Sequence, residues 1–367
     1  MKVICNKEKL CEAVANVSRA VASKSTILAL EGILLKAEGS TLTLTGYDLE
    51  LGITTLLEAE VGEPGEIILT ARLFSDMIRR MPYETITIES DQKLLTHIVS
   101  GAAEYTILGL DPQEFPELPA IGEAALLSLQ GETLKSMIDQ TLFAVAVSDA
   151  KPVHKGSLFD LKDGMLTVVS VDGYRLALRR EALNAEEESS FVIPGKTLSE
   201  VSKLIGGEDK KIELSVSSKY IIFRIGGYQV LSRLLEGEFL DYRAAVPKQH
   251  TTEITVSTRS MVDSIERISL LISDKLRSPL KIRFTDSHIQ SSCSTAIGKA
   301  NDTIACQMTG DEVEMGFNSK YLLDALRACE TDEAVLQLGG PLAPMKVVPK
   351  DSEAFLFLVL PVRLKSE

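Results

Sequence analysis

Apolar and polar residues alternate along the middle of the chain and then change their period. From Leu158 to Leu178 the alternation is typical of two strands, each with one buried face. After Pro194 the apolar positions are three and four residues apart, which is typical of an amphipathic helix. The pattern therefore predicts a strand, a turn, a second strand, an acidic loop, a third strand and then a helix.

The same order of elements occurs three times. Helices that directly follow a strand are predicted to start at Ala71, Gly195 and Asn318, which are 124 and 123 residues apart. Such a regular period indicates one structural unit used three times. The predicted units span residues 1–122, 123–247 and 248–367.

Each unit is expected to contain two helices and about eight strands, an α+β fold. The helices are predicted at 7–22, 71–81, 131–147, 196–205, 258–272 and 318–329. Leu10, Leu134 and Met261 hold matching places on the apolar faces of the first helix of each unit. A closing strand meander is predicted at 85–110, 211–235 and 334–360, and extended linkers are predicted at 111–119 and 239–248.

Composition places the chain among ordinary globular proteins. It has 367 residues, 45% of them hydrophobic and 25% charged. The apolar run from Phe355 to Leu360 is far shorter than the about 20 residues that a membrane span needs. The segment after Met1 turns polar too early for a signal peptide, so a cytoplasmic location is expected. Five cysteines have no zinc or redox spacing, and buried free thiols are expected.

A net charge of −13 argues against a nucleic-acid partner unless the charges are segregated. The six predicted helices together carry +4, counting Lys and Arg against Asp and Glu, so the rest of the chain carries −17. If all six helices line one surface, that surface is mildly basic while the sheets behind it are strongly acidic.

Five short stretches carry a family resemblance. They are Leu44-Thr-Gly-Tyr-Asp-Leu-Glu, Val171-Asp-Gly-Tyr-Arg-Leu-Ala, Phe239-Leu-Asp-Tyr-Arg-Ala-Ala-Val-Pro-Lys, Gly316-Phe-Asn-Ser-Lys-Tyr-Leu and Leu360-Pro-Val-Arg-Leu. With these motifs in this order, the chain resembles the bacterial β sliding clamps, the β subunits of the DNA polymerase III holoenzyme. The resemblance covers Met1 to Leu364.

The resemblance implies a DNA-clamp fold and a homodimeric ring with helices inside and sheets outside. The ring would encircle double-stranded DNA without sequence specificity. It would tether the replicative polymerase, other DNA-processing proteins and the clamp loader through short peptide motifs. No catalytic activity, cofactor, metal or membrane contact is implied. The alternative that remains open is a monomeric peptide-binding adaptor built from the same three units.

The resemblance also implies a partner-peptide pocket between the second and third units. Its residues would be His154, Val171, Gly173, Tyr174, Arg175, Leu176, Leu240, Ala244, Ala245, Val246, Pro344, Leu358, Leu360, Pro361, Val362 and Arg363. An apolar groove with a few polar groups suits an extended peptide that inserts a Leu or Phe. The family often has His at Tyr174, Pro at Leu240 and Arg at Ala244, and its chains usually stop before Lys365–Glu367, so the peptide preference stays open.

Two further sets of residues follow from the resemblance and from charge. The DNA-contacting set is Lys24, Arg72, Arg79, Ser148, Lys151, Lys196, Lys203 and Lys320. The dimer-interface set is Tyr105 and Ile107 in the first unit with Leu270 and Leu271 in the third.

Enzymatic interpretations find little support in the sequence. Pro194-Gly-Lys-Thr resembles the end of a phosphate-binding loop, but Ser190 stands where that motif needs Gly, and a strand-to-helix turn explains the stretch. His97, His154, His250 and His288 have no metal-ligand spacing. A repeat-built enzyme would need carboxylates or histidines clustered at one junction, where the residues here are apolar.

Overall fold

The structure, a computed structural model, describes residues 1–122, 124–148, 150–183, 188–207, 211–272 and 279–364. These residues form two compact units, 1–134 with 200–234 and 135–199 with 235–367. The predicted unit starting at residue 123 contributes to both compact units, and its boundaries stay a prediction.

Seven α-helices occur among the described residues. They are α1 (Lys7–Val17), α2 (Ala71–Arg80), α3 (Gly131–Leu142), α4 (Gly195–Leu204), α5 (Tyr242–Ala245), α6 (Thr258–Ser269) and α7 (Ser319–Arg327). Six of them lie where the periodicity predicts a helix. Leu10, Leu134 and Met261 are all fully buried, as expected for matching positions on three repeated helices.

The first compact unit contains two antiparallel sheets. In chain order its strands are β1 (Lys2–Asn6), β2 (Gly32–Glu38), β3 (Thr41–Tyr47), β4 (Leu51–Glu58), β5 (Glu60–Glu63), β6 (Gly65–Thr70), β7 (Thr85–Ser90), β8 (Leu95–Ser100), β9 (Ala103–Leu108), β10 (Ala125–Leu129), β15 (Ile212–Val216), β16 (Tyr220–Ile225) and β17 (Tyr228–Arg233). One sheet has the order β5-β1-β7-β8-β9 and the other β10-β15-β16-β17-β4-β3-β2-β6. Pairing of β17 with β4 makes the second sheet continuous between the first and second repeats.

The second compact unit has the same plan. Its strands are β11 (Gly156–Lys162), β12 (Met165–Val171), β13 (Arg175–Ala182), β14 (Ser189–Pro194), β18 (Thr252–Ser257), β19 (Leu280–Phe284), β20 (His288–Thr295), β21 (Gly298–Ala305), β22 (Gln307–Gly310), β23 (Val313–Phe317), β24 (Glu333–Leu338), β25 (Met345–Pro349) and β26 (Phe355–Val359). A nine-stranded sheet has the order β14-β11-β12-β13-β26-β25-β24-β18-β22, and a four-stranded sheet the order β21-β20-β19-β23. Pairing of β13 with β26 joins the second repeat to the third.

Three helices end three to five residues earlier than predicted because other hydrogen bonds take over. After α1, residues 18–20 form a 3₁₀ turn. After α3, the N–H of Ala146 donates to the carbonyl of His154 at 2.9 Å, which turns the chain away from the helix axis. After α6, Leu271 and Ile272 donate to carbonyls only three residues back. Frayed or tightened last turns of this kind are common and leave little trace in apolar periodicity.

The linker at 239–248, which was predicted to be extended, contains one short helix that the sequence analysis missed. Asp241 caps α5, since its carboxylate accepts hydrogen bonds from the N–H groups of Arg243 and Ala244 at 3.2 and 3.4 Å. Four residues are too few to give a helical period, although Asp241 followed by Tyr-Arg-Ala-Ala is a recognisable cap signal.

The cysteines are free, as predicted, although burial varies. Cys5, Cys293 and Cys329 are buried, whereas Cys11 and Cys306 are only partly so. Burial raises the pKa of the Cys5 and Cys329 thiols to about 12, which keeps both thiols protonated at neutral pH. No helix among the described residues is long and apolar enough to cross a membrane.

Candidate peptide-binding site and DNA-facing residues

One side of the nine-stranded sheet carries an apolar cluster built from three distant segments of the chain. Strands β13 and β26 place Leu176 opposite Leu358 and Leu178 opposite Leu356, while α5 and its flanks supply the linker side chains. We call this set the pocket cluster. Its buried members are Val153, Leu158, Val169, Val171, Leu176, Leu178, Val192, Tyr242 and Leu358, with Leu235, Phe239, Val246 and Leu356 packed against them.

The predicted pocket residues divide into a buried floor and an exposed rim. Val171, Leu176 and Leu358 are at most 5% exposed and form the floor. The rim is more open, because Tyr174 is 61% and Leu360 39% exposed. The exposed or partly exposed remainder is Gly173, Leu240, Ala244, Ala245, Val246, Pro344, Pro361, Val362 and Arg363. Two leucines of the terminal apolar run therefore differ from one another, since Leu358 packs in the cluster while Leu360 faces solvent.

The C-terminal segment is fixed at the rim by two backbone hydrogen bonds. Leu360 donates its N–H to the carbonyl of Tyr174 at 2.9 Å, and Val362 donates to the carbonyl of Gly316 at 2.8 Å. A Cβ at Gly316 would lie 2.6 Å from the Val362 carbonyl oxygen, so only glycine allows this approach. The resemblance motifs at 171–177, 316–322 and 360–364 therefore meet at one place.

The side chain of Arg175 is buried and links two segments of the chain; it is not a surface group. Its side chain is 9% exposed and forms ion pairs with Asp172 at 3.0 Å and with Asp324 at 2.5 Å. The guanidinium also lies 4.5 Å from the ring centre of Tyr321, whose ring stacks on Tyr174 with centres 5.8 Å apart. Charged, aromatic and apolar contacts therefore hold the tip of the hairpin against α7.

Sequence reasoning missed Asp172, Tyr321 and Asp324 as part of this site. Tyr321 stands in the Gly316–Leu322 motif, and that signal could have placed it near the pocket. Asp324 has no such signal, because it lies 149 residues from Arg175 and only the fold brings the two together.

The linker is held to the sheet by a polar cluster around Asp160 on β11. The hydroxyl of Tyr242 donates to the Asp160 carboxylate at 2.7 Å, and the guanidinium of Arg243 donates to the same oxygen at 2.7 Å. Burial of the ring and the hydrogen bond to Asp160 raise the pKa of Tyr242 to about 12. This contact fixes the linker wall formed by residues 244–246.

Stability at alkaline pH should report on this contact. The pKa of Tyr242 is higher in the folded than in the unfolded chain, so its contribution is fully present below about pH 10 and is lost as the pH rises towards about 12. We expect chemical denaturation of the Tyr242→Phe variant to show a shallower loss of stability across this window. Tyr83→Phe, at an exposed tyrosine, is the control and should follow the parent. Parallel curves for parent and Tyr242→Phe would contradict this assignment.

His154 packs against the linker. It is 8% exposed, and its ring centre is 5.2 Å from that of Phe239. Burial holds the pKa of His154 below its usual range, and the positive charge of Lys151 acts in the same direction. The neutral imidazole therefore serves as packing surface at the pocket near neutral pH.

The eight residues of the DNA-contacting set are all exposed, and each lies on a helix or in a loop beside one. Lys24, Arg72, Arg79 and Lys203 belong to the first compact unit, and Ser148, Lys151, Lys196 and Lys320 to the second. Several of them also make local contacts, because Lys203 pairs with Glu200 at 2.8 Å, Arg79 donates to Ser75, and the Ser148 hydroxyl accepts from the N–H of Ala150. Their exposure leaves them able to meet phosphates through diffuse contacts.

The dimer-interface set lies at sheet and helix ends. Tyr105 and Ile107 are on β9, an edge strand of the five-stranded sheet, where Tyr105 is 36% exposed. Leu270 caps the end of α6 and is 84% exposed, whereas Leu271 is partly buried against the core beneath it. Strand β21 is likewise an edge of the four-stranded sheet. Each compact unit therefore presents an unpaired strand edge of the type that associates with another chain.

The structure explains the Pro194-Gly-Lys-Thr stretch without a phosphate-binding loop. Pro194 ends β14 and Gly195 begins α4, so Pro194-Gly-Lys-Thr is the predicted strand-to-helix turn. A Cβ at Gly195 would lie 3.0 Å from Val145, which explains glycine by close packing. No group of three or more potential metal-ligating side chains occurs among the described residues.

Structural comparison defines the class of protein first. The fold matches solved DNA polymerase clamps over the whole chain. The sliding clamp of Bacillus subtilis superposes with a TM-score of 0.96 at 32% identity, covering 100% of both chains. A DNA polymerase III beta subunit from Eubacterium rectale gives 0.94 at 32% identity, covering 99% of this chain and 100% of the other. The protein has the DNA-clamp fold.

Sequence comparison then identifies the family. Residues 1–119, 128–241 and 243–363 match the N-terminal, central and C-terminal domains described as DNA polymerase III beta subunit. The beta sliding clamp of Bacillus subtilis is 34% identical over 99% of this chain and 100% of its own. The chain therefore belongs to the DNA polymerase III β-subunit family of sliding clamps. The family is one of non-enzymatic processivity factors, and DNA sliding clamp is the function of this chain.

Proposed function

We propose that the pocket cluster and its rim form the docking site for short peptides of the polymerase and other DNA-processing partners. The observation that carries this assignment is that three segments, which together span Val153 to Leu358 in the sequence, meet in one buried floor beneath an exposed aromatic and aliphatic rim. A related sliding clamp from Pseudomonas aeruginosa has been solved bound to griselimycin, so a fold of this kind holds a ligand. An extended peptide that lays a Leu or Phe side chain on the floor beside Tyr174 and Leu360 fits this shape.

The DNA contact is proposed to be weak at each point and non-specific. The exposed cations of the DNA-contacting set would meet phosphates, which carry no direct sequence information. The net charge of −13 then repels DNA from the remaining surface. Residence on DNA would come from enclosure within a closed ring, which permits sliding.

The ring is proposed to close by association of two copies. The edge β9 of one copy, with Tyr105 and Ile107, would pair with the third repeat of the other, where β21 is an edge and Leu270 and Leu271 end α6. Pairing would cover strand edges that otherwise invite aggregation. The same protein would be opened and placed on DNA by a clamp loader that uses the peptide site, and it would work in the cytoplasm. The Lys365–Glu367 tail lies outside the described residues and has no assigned role.

Solution mass distinguishes the ring from the monomeric adaptor. We expect light scattering to give twice the 40.0 kDa chain mass. Ile107→Asp, which puts a charge on the paired edge, should shift the mass towards that of one chain. Leu56→Asp, at a strand residue that is 63% exposed, is the matched control and should stay dimeric. A parent protein of single-chain mass at micromolar concentration would favour the adaptor.

A further inference from the structure

A groove of about 400 Å³ crosses the nine-stranded sheet next to the pocket cluster. Its apolar floor comes from β13, β26, β25 and β24, and its polar edge includes both cations and carboxylates. The side chains that matter here are Leu178, Leu356, Val348, Val335, Arg180 and Lys346.

Strand register makes this groove a continuation of the pocket floor. Leu178 lies opposite Leu356 across β13 and β26, and Val335 lies opposite Val348 across β24 and β25. One row earlier, Leu358 is opposite both Leu176 and Lys346. Residues directly opposite one another project from the same face of a sheet. Leu178 and Leu356 are themselves part of the pocket cluster, so one apolar surface extends from the pocket into the groove.

Charged side chains of both signs line the groove, namely three cations (Arg180, Lys346 and Lys350) and two carboxylates (Glu253 and Glu353). Among the described residues, neither Arg180 nor Lys346 forms an ion pair, although both are partly buried. The other charged groove residues differ, because Lys350 pairs with Glu333 at 2.6 Å, Glu253 accepts a hydrogen bond from Gln337 at 2.9 Å, and Glu353 is exposed. Two partly buried cations over an aliphatic floor suit a ligand that carries both carboxylates and an apolar side chain.

We propose that this groove binds an acidic flank of the partner peptide, adjoining the segment that inserts into the pocket. The assignment rests on the proposed peptide site. The floor from β13 to β24 spans three strand spacings, or about 14 Å, which is about four residues of extended chain. The flank would place one aliphatic side chain over Val348 and Leu356 and direct acidic residues at Arg180 and Lys346. Peptides with this flank are then selected over those with a hydrophobic anchor alone.

The test compares labelled peptides by fluorescence anisotropy with the full-length protein. The core probe is a pentapeptide ending in Leu-Phe. The other probes add Asp-Leu-Glu-Glu, or its amide counterpart Asn-Leu-Gln-Gln, at the amino or the carboxyl end. We expect one acidic extension to bind about five- to tenfold tighter than its amide counterpart, because each partly exposed ion pair contributes modestly, and the gain should shrink at high salt.

Two double variants test whether the gain in affinity for the acidic peptide comes from the groove. Arg180→Gln with Lys346→Gln should abolish the difference between acidic and amide peptides while core binding is kept. Lys281→Gln with Arg283→Gln, which removes the same charge from paired cations in the four-stranded sheet, should retain it. Equal binding of acidic and amide peptides, or a gain that survives in the groove variant, overturns the proposal. If the core peptide itself does not bind, the pocket assignment and the flank site fall together.

Discussion

Cutting the DNA circle should release the protein at least about a hundredfold faster than it leaves the intact nicked circle. Non-specific contacts of the proposed kind have a Kd of about 10⁻⁴ to 10⁻⁶ M at physiological salt, and with ordinary association rates this corresponds to lifetimes of about a second or less. A closed ring on a circle cannot leave by dissociation from phosphates alone. It leaves only when an interface opens.

The measurement is retention of labelled protein on nicked plasmid after loading, followed by gel filtration before and after one restriction cut. Neutralising Arg72 and Lys196, two cations of the proposed DNA-contacting set, should change retention on the circle little, since enclosure and not adhesion is expected to hold the protein. Ile107→Asp should lower retention on the circle, because it weakens the proposed interface. Equal loss from circular and linear DNA would refute the ring.

Arg175→Ala should cost both stability and peptide binding. The substitution leaves Asp172 and Asp324 without their shared cation in a site where the carboxylates are 12% and 24% exposed. Removing one partner of a buried pair costs about 3–5 kcal/mol, and partial solvent access reduces this to about 2–3 kcal/mol here. The hairpin tip would also lose its contact with Tyr321, so the rim at Tyr174 moves and affinity should fall at least about tenfold.

Urea denaturation and peptide titration measure the two effects separately. Arg259→Ala is the control, since Arg259 is 85% exposed and its pair with Asp263 should contribute less than about 1 kcal/mol. Deleting residues 361–367 should weaken peptide binding with a smaller loss of stability than Arg175→Ala. The deletion removes one side of the rim but leaves the ion pairs of Arg175 in place. Wild-type affinity in both variants would show that the peptide binds elsewhere.

Periodicity predicted most of this fold because the repeats use ordinary signals three times. Alternation located the hairpins, and apolar spacing located six helices, including Leu10 and Met261 at matching buried positions. Helix ends were less accurate, since the bond from Ala146 to His154 joins residues in different elements. The short α5 was missed because one turn of helix has no period.

The site was predictable only as far as motifs reach. The motifs predicted that the hairpin tip, the linker and the C-terminal segment lie together. In the structure, side chains from these three segments pack in one apolar cluster. The motifs could not show that Arg175 is buried, or that Asp324 is its partner, because ion pairs between distant segments leave no local pattern. The groove beside the pocket was likewise invisible, since it depends on the register of β24, β25 and β26.

Because β13 pairs with β26, the proposed peptide site is completed only at the end of translation. β26 follows every other described element in the chain, and Leu176 and Leu178, which already pair with β12, gain their second sheet neighbours on β26 only once it has been made. If the proposed peptide site is correct, a nascent chain on the ribosome has no finished docking surface and cannot capture polymerase prematurely. Prematurely terminated products that lack β26 would expose the edge of β13, which makes them candidates for proteolysis and not competitors of the complete clamp.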